Sequence, residues 1–169
     1  PTDLSETCRY AIAESLYRQA KVYYTQGRFS DAVKLYGYWG KWFEGGQRAE
    51  AFYYLAESFR RVHLPEDALN LFVKAQPGPW REDRRMETLY GLGLVRLETG
   101  DYALAAKTLK EAVDAYPDHP WRSAALSALG KAHYLSGRYE DASVALEAAL
   151  RYRAEPPTMA RDFYMLGIA

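Results

Sequence analysis

Residues 121–157 read WRSAALSALGKAHYLSGRYEDASVALEAALRYRAEPP. Leu126, Leu129, Gly130 and His133 fall at three- and four-residue steps, and Ala142, Leu146 and Ala149 do the same. Side chains at that spacing share one face of an α-helix, so the stretch reads as two amphipathic helices with small residues where they must touch. Between them stands Ser136-Gly137-Arg138, and glycine enters the left-handed backbone conformation that closes a helix at little cost. A single hairpin of this kind cannot bury both of its faces. It needs copies of itself alongside.

The chain supplies them. Aligned on itself, the sequence restarts near Ala13, Ala49, Met86, Ser123 and Ala160, at spacings of 36, 37, 37 and 37 residues. A period in this range marks a helical solenoid. Counting from each start, the eighth position holds Ala20, Ala56, Gly93, Gly130 and Gly167, and the twentieth holds Ala32, Ala68, Ala105 and Ala142. The twenty-fourth holds Tyr36, Phe72, Leu109 and Leu146, large residues that complement the small ones. The expected architecture is all-α: one right-handed solenoid over residues 1–169, with repeats at about 13–48, 49–85, 86–122 and 123–159 and the start of a fifth at 160–169.

The pattern resembles the tetratricopeptide repeat (TPR) family. Leu129-Gly130, Gly137, Tyr139, Ala142 and Ala149 carry the match in one repeat, and Leu92-Gly93, Gly100, Tyr102, Ala105, Ala112 and Pro117 in another. The first repeat keeps Ala20, Tyr23, Gly27, Phe29 and Ala32 but has Trp39 where a small residue is usual. The second has His63 in place of the turn glycine. The phrase from Tyr116 to Ala142 is also similar to repeats of bacterial envelope TPR proteins, of the barrel-assembly lipoprotein and Tol-Pal-associated types. That similarity makes a bacterial source, and the periplasm or cell envelope over the cytoplasm, the expectation.

Composition narrows the function. Lys plus Arg and Asp plus Glu are 22 each, so no global field draws the chain to nucleic acid or an anionic membrane. The densest charged run, Arg81 to Arg85, is mixed in sign and reads as a solvated helix start. Cys8 is the single cysteine, which excludes an internal disulfide, and no apolar run is long enough for membrane insertion. Metalloprotease, phosphate-loop, hydrolase-elbow and dinucleotide fingerprints are missing, and His63, His119 and His133 lie in different repeats. No enzyme, metal or cofactor is expected. The chain begins without methionine and stops in mid-pattern, so it reads as part of a longer protein able to self-associate through its interrupted fifth repeat.

Function then has to come from a surface. In the TPR fold the first helices of successive repeats line a concave groove, and the resemblance places the second, fifth, ninth, twelfth and thirteenth positions on it. The fifth holds Tyr17, Tyr53, Tyr90, Ser127 and Tyr164, a tyrosine ladder. Lys21, Tyr24, Glu57, Arg60, Lys131 and Tyr134 flank it. Tyrosine offers a broad apolar ring and a hydroxyl at low entropic cost, which suits a peptide or protein partner. The competing expectation is that these rings pack between repeats and expose little. Some TPR domains grip a partner's C-terminal carboxylate with a basic set, but here Glu50 and Glu87 stand near those positions and only Lys21 resembles it. Two functions follow: a non-catalytic scaffold with a tyrosine-lined groove, or a structural or oligomerising segment of a longer multidomain protein.

Overall fold

The structure is a computed structural model and describes residues 6–39, 48–76 and 82–152. The described residues form eight helices: α1 (Glu6–Thr25), α2 (Phe29–Trp39), α3 (Arg48–Arg61), α4 (Pro65–Ala75), α5 (Glu82–Glu98), α6 (Tyr102–Ala115), α7 (Arg122–Leu135) and α8 (Tyr139–Tyr152). They pair as antiparallel hairpins, and the hairpins stack into the right-handed solenoid that the period predicts. The fifth-repeat segment with Tyr164 lies outside the described residues.

Each hairpin turns at the same place. Gly27, Gly100 and Gly137 have φ of 70°, 85° and 77°, and His63 takes their place in the second repeat with φ of 60°. The left-handed conformation is therefore kept where glycine is not, at a local cost. The small positions do what their spacing predicts. Ala20, Ala32, Ala56, Ala68 and Ala105 are completely buried. A Cβ on Gly93 would lie 2.5 Å from Leu109 Cγ, and one on Gly130 would lie 2.6 Å from Leu146 Cγ. Gly91 makes the equivalent contact between repeats, since its Cβ would meet the Phe72 ring at 2.5 Å. Helix spacing is thus set by missing methyl groups.

Gly37 of α2 is not a contact point: a Cβ there would meet nothing within 4 Å, and Tyr38 beside it is 80% exposed. Tyr36 packs inward, edge-on to Phe59 at 5.7 Å.

Among the described residues, successive first helices touch one another (α1 with α3, α3 with α5, α5 with α7), whereas α2, α4, α6 and α8 touch only first helices. The first helices are therefore the inner, crowded layer and the second helices the splayed outer one. The core has two clusters, one from Leu16 to Val95 and one from Met86 to Ala149. Both draw on α5, which gives Leu92 and Val95 to the first and Met86, Leu89, Tyr90 and Leu97 to the second.

Candidate binding face

The inner layer carries a polar and aromatic floor across α1, α3 and α5. Tyr24 meets Tyr54 at 5.2 Å and Tyr53 at 6.5 Å between ring centroids, and Tyr53 rests edge-on against Phe72 at 6.2 Å. Lys21 lies 5.7 Å from the Tyr54 ring centroid and 3.9 Å from Glu50. The Tyr17 and Tyr54 hydroxyls both hydrogen-bond to Glu50. Arg60 is paired with Glu57 at 2.9 Å and with Glu98 of the next first helix at 3.5 Å.

Arg84 ties this floor together. Its guanidinium lies 4.7 Å from the Tyr53 ring centroid and 5.3 Å from that of Tyr54, donates to the Tyr54 hydroxyl at 3.1 Å, and pairs with Glu50 at 3.9 Å and with Glu87. The sequence reading of Arg81 to Arg85 as a solvated start is therefore wrong at this residue. Helix α5 starts at Glu82, four residues ahead of the repeat's start at Met86, so Arg84 is already helical and reaches back onto α3. Glu50 stands at the second repeat position, which the resemblance puts on the groove; Tyr54 and Arg84 are the residues that spacing missed. An early helix start carrying an arginine was the one available signal, and mixed charge hid it.

The expected site residues separate by depth. Tyr17, Lys21, Tyr24, Tyr53, Glu57 and Arg60 come together. But Tyr53 and Tyr90 are only 2% and 8% exposed. The expectation of an open ladder is corrected at these two rungs. Phe72 lies beneath Tyr53 and Arg84 above it, while Tyr90 packs edge-on to Trp121 at 5.5 Å, between the third and fourth repeats. Lys21 and Tyr134 are exposed, and Tyr17 and Tyr24 are partly so. Tyr134 stands apart from the floor, edge-on to Tyr139 across the last turn.

Burial governs the protonation of this face. It pushes the Tyr24 phenol up to about 12, with Glu57 adding to the effect, and raises those of Tyr17, Tyr53 and Tyr54. A phenolate here would lose water and meet carboxylates. Among the described residues no group of three His, Cys, Asp or Glu could hold a metal, and no helix is long and apolar enough to cross a membrane.

Stacked hairpins with a continuous inner layer define a helical-repeat solenoid. Two family models, both described as tetratricopeptide repeat, match residues 84–155 and 14–37, together more than half of the chain. The chain belongs to the tetratricopeptide repeat family. Its fold is similar to the crystal structure of MamA (20% identity, TM-score 0.70, covering 83% of this chain and 78% of that one). It is similar also to BtubC (BKLC) from P. vanneervenii (19%, 0.71, 92% and 70%). A putative kinesin light chain from Podosopora anserina with nearly identical TPR-like repeats matches at 20% identity and TM-score 0.65, over 91% of this chain and 86% of that one. No curated protein matches. TPR scaffolds are in general protein-interaction modules without catalysis of their own.

Proposed function

We propose that the inner face of α1, α3, α5 and α7 binds a peptide or partner protein, acting as a non-catalytic scaffold. The observation that supports it is the chain of Tyr17, Lys21, Tyr24, Glu50, Tyr54, Arg84, Glu57, Arg60 and Glu98, which spans three repeats and leaves amphipathic groups at the surface. Prearranged side chains lose little freedom on binding, which favours affinity. Tyr53 and Tyr90 serve as supports beneath this face, and contact is made by Tyr17, Lys21, Tyr24 and the outer edge of Arg60. An envelope location is part of the same proposal, resting on the repeat similarity around Tyr116–Ala142.

The test is capture from the source's own extract by the intact protein, comparing wild type with Tyr17→Ala/Lys21→Ala. Lys21 is exposed and Tyr17 partly so, so helicity and melting should hold while capture falls. Lys107→Ala and Glu147→Ala, on the outer layer, should leave capture intact. Capture that survives the inner-face double variant moves the site elsewhere.

A further inference from the structure

We propose that His133 makes the fourth hairpin acid-responsive: uptake of a proton at its buried Nδ1 loosens α7 from α6 and leaves the first two hairpins in place. This stands independently of the inner-face reading, because it is tested by ionisation and protection and not by capture.

Comparison of one position across the repeats carries it. His133 occupies the eleventh position, which also holds Tyr23, Phe59 and Arg96. The position touches the preceding repeat, as the contact of Phe59 with Tyr36 of α2 shows. It also reaches the outer helix of its own hairpin, where Arg96 donates to Thr108 Oγ1 and, at 3.5 Å, to Leu104 O. In the fourth hairpin the counterpart of Thr108 is Ala145, which is buried and has no hydroxyl to offer. His133 Nδ1 is buried and has no hydrogen-bond partner.

The two charge states of the ring differ in what that isolation costs. A neutral imidazole with its proton on Nε2 leaves Nδ1 as a bare acceptor, a modest loss. An imidazolium carries N–H on both nitrogens, so protonation adds an unpaired donor and a charge where water does not reach. The surroundings oppose that charge. Burial is the first cause that holds the ring below the ordinary histidine value, and Arg138 of the turn and Lys110 of α6 add to it, while Asp141 of α8 pulls the other way. Among the described residues no charged group of α5 bears on the ring. The unfolded chain takes its proton near pH 6.5 and the folded chain only at lower pH, so the stabilisation is complete above about 6.5 and is lost as pH falls below it. Ordinary carboxylates titrate near pH 4, which leaves mild acid to the histidines. Helix α7 also carries Lys131 and Tyr134, so that end of the inner layer loosens with it.

Hydrogen exchange of the full 169-residue chain at about pH 7.5 and about pH 5.5, corrected for intrinsic rates, tests it alongside an NMR titration of the His133 ring nitrogens. In the wild type, peptides of α7 and α8 should lose about threefold or more of their protection at the lower pH relative to those of α3 and α4, and the ring midpoint should lie below about 6.5. His133→Phe, which places there the residue that the second repeat holds, should abolish the difference. His119 lies in the connection ahead of α7, with its Nδ1 accepting from Trp121 N at 3.1 Å, and is the competing source of an acid response. A response that persists in His133→Phe belongs to that residue and overturns the proposal. Equal protection at the two pH values, or a His133 midpoint at or above about 6.5, overturns it as well. The titration is made on the wild type, so it remains decisive should His133→Phe disturb the hairpin.

Discussion

A glycine in a helix interior normally weakens it by about 1 kcal/mol relative to alanine. Gly91 and Gly37 separate that rule from its exception. A Cβ at position 91 would overlap the Phe72 ring at 2.5 Å and approach a Glu57 oxygen at 2.9 Å, both in the buried contact between repeats. Gly91→Ala should therefore destabilise by about 1–3 kcal/mol, the usual cost of overpacking. Gly37→Ala meets open space and should stabilise by up to about 1 kcal/mol. Paired denaturant titrations check both signs. Tyr53→Ala removes a ring that is 2% exposed, and losses of about 3 kcal/mol or more follow such truncations. Its melting temperature should fall sharply while Lys21→Ala stays close to wild type. A Tyr53→Ala protein as stable as wild type would return that ring to the open face.

At the scale of the element, the hairpin was legible because its determinants are local. Small residues at the eighth and twentieth positions and a large one at the twenty-fourth sit within one repeat, and burial of Ala20, Ala32, Ala56, Ala68 and Ala105 follows from them. What spacing could not supply was depth. The fifth position marks the inner face, yet Tyr53 is sealed by Phe72 and by Arg84, residues 19 and 31 positions later in the chain. The second turn carries a testable cost of its own. His63 holds φ of 60°, a region that costs a side-chain-bearing residue about 1–2 kcal/mol. His63→Gly should recover about 1 kcal/mol of that, less some entropy lost by the freer unfolded chain. The same change at a turn already holding glycine is unavailable as a gain. Thermal melts that leave His63→Gly at or below wild type would show that the histidine ring contributes contacts outweighing the strain.

For the whole molecule, pH is the simplest probe of the inner face. The folded state raises the Tyr24 phenol from about 10 to about 12 and raises Tyr53 and Tyr54 as well, so it prefers them neutral. That preference is fully present below the unfolded value near 10 and is lost as pH rises through the folded one near 12. The Tyr24 phenolate should appear only as pH approaches about 12, and helicity should drop with it. A single step near 10 with the helices intact would mean that the floor is open to water. The two clusters meeting at α5 carry a mechanical consequence as well. With Leu92 and Val95 committed to one side and Met86, Leu89, Tyr90 and Leu97 to the other, that helix is the only described one shared by both. Tension along the stack is borne in series, so either half can give way while its neighbour, α5 included, still holds. A single molecule drawn out from its ends should lengthen in two separate rips, and the rod it forms should behave as two springs coupled by one stiff plate.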